Sequence, residues 1–117
     1  MSDYIVVVSW DAERGELTYQ EKNSGSDAHE LNVTHGRTIE WQPARQGAHE
    51  VEIDFASGGN DGSPFDGDQP QTGKSSDAVR RTLRTLSGDG PKRYKYSVSL
   101  KHEAGTESED PVVIIGD

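Results

Sequence analysis

The chain has 117 residues, no cysteine, 30% apolar residues and a mean hydropathy of -0.86. Twelve basic against twenty-one acidic side chains give a formal charge of -9, which opposes binding to nucleic acid and to anionic membranes. The missing thiol excludes disulfides, thiolate metal sites and cysteine nucleophiles.

A length in the commonest range for one domain, with no linker-like break, makes residues 1–117 a single domain. Met1 to Val8 lacks a basic n-region and a long apolar run, so a cytoplasmic product is expected. Tyr4 to Trp10 is a β-branched run that breaks at Asp11 to Gly15 and resumes at Glu16 to Gln20, which predicts a hairpin. Leu31-Asn32-Val33 and Thr38 to Gln42 follow as short strands separated by His35-Gly36, with Ile39 and Trp41 on one face.

His49 to Phe55 alternates strictly. His49, Val51, Ile53 and Phe55 share one side and Glu50, Glu52 and Asp54 the other, as a sheet with one dry and one wet face requires. Residues 56–77 read as a long loop rich in Gly, Pro, Asp, Asn and Ser, with Phe65 its only large apolar side chain; loops of this length tend to be functional. Phe65 is therefore a candidate anchor for a partner, within a polar rim that includes Asp66 and Asp68. Oxygen donors in 60–68 suit calcium in kind, but not in EF-hand spacing.

Residues 78–86 fit either a helix, through Val79, Leu83 and Leu86, or a strand, through the threonines and the all-β surroundings; strand is taken here. Arg80, Arg81 and Arg84 form a local basic cluster that either receives an anion or neutralises neighbouring acids. Tyr94, Tyr96, Val98 and Leu100 alternate with Lys95, Ser97 and Ser99 as one strand, and Pro111 to Ile115 closes the chain as a more deeply buried one. Seven or eight short strands with frequent turns predict an all-β, antiparallel Greek-key sandwich.

The strand with Trp41, the strand opened by His49 and ending in Phe55, and the late aromatic strand after a glycine turn resemble cupredoxins over roughly residues 30 to 117. The resemblance implies a cupredoxin-like sandwich in which His49 stands at the first copper ligand. It also implies a thiolate at Val98 and a second histidine at Lys101, one place before His102; no methionine follows, since the only one is Met1. A blue-copper centre needs its thiolate, so that chemistry is excluded. What remains is a non-enzymatic binding or structural module whose partner is an unknown protein or small ligand, with no cofactor. The alternative is a thiolate-free copper or zinc site built from His49 and His102. No nucleophile elbow, phosphate-binding glycine motif or zinc-protease helix is present, and an enzyme is not expected.

Overall fold

The computed structural model describes residues 3–11, 13–25, 27–44, 48–56, 62–67, 69–85, 91–102 and 105–116, with only the backbone of 48 and 49. Its strands are β1 (Tyr4–Asp11), β2 (Glu16–Glu21), β3 (Glu30–Thr34), β4 (Thr38–Pro43), β5 (Ala48–Asp54), β6 (Thr72–Ser75), β7 (Val79–Thr82), β8 (Lys92–Lys95), β9 (Ser97–His102), β10 (Gly105–Glu109) and β11 (Val112–Gly116). They form two four-stranded sheets, β2-β1-β4-β7 and β10-β9-β5-β6, and a three-stranded sheet, β3-β11-β8. The four-stranded sheets stack so that β2 lies over β10, β1 over β9, β4 over β5 and β7 over β6.

The all-β sandwich predicted from alternation is present, with more strands and a different mix of directions. Most pairings are antiparallel, but β1 pairs with β4 and β3 with β11 in parallel. A parallel pair needs a long crossover, and here the intervening strands supply it. The β1–β2 hairpin turns on Gly15, whose φ of 67° suits a residue without Cβ. Its amide donates to the Asp11 carbonyl at 2.8 Å, and Asp11 Oδ1 accepts the amides of Glu13 and Arg14. Beyond the turn, β2 ends at Glu21, a buried carboxylate that accepts the backbone N–H groups of Ile5, Asn23 and Ser24 at 2.9, 3.1 and 2.9 Å.

The segment read as one strand from Tyr94 to Leu100 is two strands in two sheets, with Tyr96 at the corner. The amide of Tyr96 still bonds the Pro111 carbonyl at 3.2 Å, so the chain changes sheet without losing its alternation. Tyr94, Tyr96, Val98 and Leu100 are all buried, as the pattern required. Tyr96 stacks on Phe55 with ring centroids 4.3 Å apart and accepts the Trp41 indole N–H at 3.1 Å. Burial pushes its phenol well above the ordinary range, against the smaller opposing effect of the Trp41 bond.

Residues 56–77 are not one structureless loop. They contain β6, whose Thr-Gly-Lys-Ser sequence carries no apolar signal and is held by backbone pairing to β5. Gln69 and the backbone of Pro64 and Asp66 fasten the preceding stretch to Thr82 and Arg84. Likewise β10, an acidic stretch without an apolar signal, is an edge strand. In its register Glu107 and Glu109 lie opposite Leu100 and Val98, on the inward side. Glu109 reaches across to the other sheet, where its carboxylate accepts the Leu17 N–H at 2.7 Å and the Tyr19 hydroxyl at 3.4 Å. At the opposite edge, Arg81 of β7 donates to the carbonyls of Pro70, Arg80 and Thr72 at 3.0, 2.8 and 2.9 Å. Gly73 makes room for it: a Cβ there would lie 2.6 Å from Arg81 Nη2 and 3.0 Å from Val79 Cγ1.

Gly73→Ala is therefore expected to cost about 1–3 kcal/mol of stability, as overpacking does, seen as a lower urea midpoint with an unchanged slope. For Glu21, burial opposes ionisation, but the donors from Ile5, Asn23 and Ser24 outweigh it and hold the carboxyl below the usual range. A depressed folded pKa contributes stability that is present above the unfolded pKa and lost as pH falls through the folded one. Glu21→Gln is expected to lower stability at neutral pH by about 1–3 kcal/mol and to flatten the fall in stability below pH ~4.5. Urea melts of both proteins at several pH values measure this, and parallel acid limbs would show that Glu21 does not carry the effect.

Candidate functional site

β5 begins, β9 ends and β10 begins at one end of the sandwich, and the backbone of both histidines named above lies there. Ala48 pairs with His102 and Glu50 with Lys101, so the register shifts by one residue at His49. The extra residue is a bulge, left without a partner in the ladder. The side chain of His49 lies outside the described residues.

His102 is buried, with its side chain 6% exposed, and is not a solvated loop residue. The Trp10 indole at the end of β1 covers it, stacked with centroids 5.2 Å apart and planes 13° off parallel. Glu107 Oε2 lies 3.6 Å from its Nε2. Position 102 thus continues the inward series Val98, Leu100, His102, so alternation alone places the imidazole inside.

Val98, where the resemblance put a thiolate, is not at this end. It is fully buried near the start of β9 and pairs with Ile53, four residues along β5 from His49. At a strand rise of about 3.3 Å per residue that is roughly 13 Å, too far for both side chains to reach one metal ion. His102, and not residue 98, is the β9 residue beside the start of β5. The resemblance takes its register from the aromatic pattern of residues 94–96, whereas β9 runs on beyond Leu100 to His102.

The proposed partner anchor is placed differently. Phe65 is 4% exposed, and its ring packs edge-on against Phe55 at 5.0 Å and Trp41 at 6.3 Å. It is a core residue, drawn in because Phe65 bridges to Leu83 and the backbone on either side is fastened to β7. A side chain already desolvated by its own core offers no surface to a partner. Asp66 is exposed beside it, while Asp68 lies outside the described residues, as do Asn60 and Asp61 of the acidic loop. Among the described residues, no group of three or more His, Asp or Glu is placed to hold a metal ion.

The arginine cluster serves the fold. Arg80 grips the buried carboxylate of Glu40, with Nε and Nη2 at 3.1 and 2.9 Å from one oxygen, and Arg84 donates to the Tyr94 hydroxyl at 3.2 Å. A shallow depression of about 270 Å³ beside β2 contains Tyr19, His29 and Glu109. Burial, then the Glu109 carboxylate, pushes the Tyr19 phenol above its ordinary range, so it acts as a hydrogen-bond donor and not as an acid.

No family model matches the chain, and no curated protein matches it. Among solved structures the chain is similar to the reduced Cu(I) form of an amicyanin mutant, a protein of the family the sequence resembles. The identity is 16% and the TM-score 0.42, over 98% of this chain and 85% of that one. The likeness is one of general strand arrangement, and it carries no residue's role from that protein to this chain.

Proposed function

We propose that this chain is a non-enzymatic β-sandwich module, binding a partner or serving a structural role, without a blue-copper centre. The observation that supports it is the burial of His102, which is roofed by Trp10 and flanked by Glu107 and is not presented to solvent. The absence of any cysteine removes the thiolate on which blue-copper geometry and redox tuning depend.

A second reading keeps His49 and His102 as ligands of Cu(II) or Zn(II), with Glu107 as an oxygen donor. The register that pairs His102 with Ala48, the neighbour of His49, favours it, as does the preference of both ions for imidazole with carboxylate or water. Calorimetric titration of Cu(II) and Zn(II) into the wild type, His49→Ala and His102→Ala separates the two. The module reading expects the same weak binding in all three proteins. Tight, stoichiometric binding that either alanine abolishes would overturn it and establish the metal site.

A further inference from the structure

The three-stranded sheet ends at β3, and the edge of β3 faces a groove instead of a neighbouring strand. The parity of its ladder follows from the contacts at either end. Val112 donates to the His29 carbonyl at 2.8 Å and His35 donates to the Gly116 carbonyl at 2.9 Å. In the parallel register between them, Leu31 and Val33 direct their backbone groups to β11. Those of Glu30 and Asn32 then point the other way. Thr34, the next in that series, has its N–H taken by the Tyr4 hydroxyl of β1 at 3.0 Å.

That tyrosine shows how wide the gap is. Directly paired strands stand about 4.8 Å apart, whereas here a phenol side chain is interposed between β1 and β3. Beyond it opens a groove of about 320 Å³, lined by Tyr4, Asp27, Glu30, Leu31 and Asn32 together with the end of β2. Leu31 and Tyr4 supply its apolar lining, and Glu21, Asp27 and Glu30 its carboxyl groups. No Lys or Arg lines it among the described residues. Glu30 has one exposed ion pair, to Arg93 at 3.4 Å, which is of the weak and exchangeable kind. The whole chain, these carboxylates included, carries a formal charge of -9, which attracts cations and repels a second copy.

We infer that the groove beside β3 takes an extended, lysine- or arginine-bearing peptide segment of a partner protein, added as a further strand to β3-β11-β8. The inference rests on the module reading and gives it a partner class. Strand addition draws affinity from main-chain bonds, here to Glu30 and Asn32, and specificity from alternate side chains. Cationic residues of the added strand fall beside Glu30 on the wet face, and apolar ones continue the row of Leu31 on the dry face. Tyr4 stops the ladder at Thr34, so the recognised stretch is short.

The probe is acetyl-Lys-Val-Lys-Val-Lys-Val-amide, titrated into the intact chain by fluorescence anisotropy and by amide NMR. Binding that weakens with salt, shifts the Asn32 amide and slows its exchange is the expected result. Asn32→Pro removes a donor from the open edge while leaving the β11 ladder intact, which edge strands tolerate; Glu30→Lys reverses a charge lining the groove. Each is expected to weaken binding about tenfold or more. No binding to the wild type overturns the inference, and so does equal binding of a Lys-Pro-Lys-Pro-Lys-Pro peptide, which cannot form the ladder. Self-association of the wild type that Asn32→Pro abolishes would assign the edge to a second copy and overturn it as well. None of these failures touches the module reading, which falls only to the metal titration.

Discussion

Two stacked open sheets leave four edge strands, and the backbone groups along those edges have to be bonded or guarded if the chain is to stay a monomer in water. Two charged side chains meet this constraint, one at each side of the sandwich. Glu109 crosses from β10 to the Leu17 N–H of β2, and Arg81 crosses from β7 to carbonyls at and before the start of β6. Both make charge-assisted bonds to main chain, the stronger class of hydrogen bond. They also place an ionised group at each edge, where pairing with another flat strand would bury it. The two sheets are thus joined laterally by polar bonds and centrally by apolar packing.

The centre depends on the corner at Tyr96. One residue lies between β8 and β9, and its ring fills the space among Trp41, Phe55 and their neighbours while its hydroxyl satisfies the only polar atom of the indole. Because the backbone alternation passes through the corner unbroken, β8 can join the third sheet without turning any core residue to solvent. Phe65 completes the same cluster from a segment that otherwise has no apolar side chain of that size. A chain of only 30% apolar residues closes its core by drawing one aromatic ring out of a polar connection. The same ring is then unavailable to any partner.

At the end of the sandwich that holds the histidines, the length of β9 decides what is possible. It carries the strand past the deeply buried Val98 to His102, which lies beneath Trp10 and beside Glu107. Among the sheet edges, the one at β3 combines outward-facing ladder groups with a groove lined by Tyr4, Leu31 and the carboxyl groups of Glu21, Asp27 and Glu30. The field of the whole acidic chain acts in the same sense.

By itself the sequence determined which side of each main strand is buried, because alternation with period 2 is a property of a few consecutive residues. Val51 and Ile53, Ile39 and Trp41, and the alternate residues Tyr94, Tyr96, Val98 and Leu100 all lie inside as their spacing requires. It also determined that no thiolate chemistry exists, since that is a matter of composition. The edge strands were illegible: β6 and β10 are held by pairing and by single polar bonds, which leave no hydrophobic period in Thr-Gly-Lys-Ser or Gly-Thr-Glu-Ser-Glu. The candidate site was half legible. His102 pairs with Ala48, one residue from His49, but whether residue 98 or 102 stands beside the start of β5 depends on how far β9 extends and with what offset it pairs. Those are non-local quantities, fixed only when two strands distant in sequence align, and they set His102 in place of Val98 beside the start of β5, made Phe65 a packing residue and left the edge of β3 open.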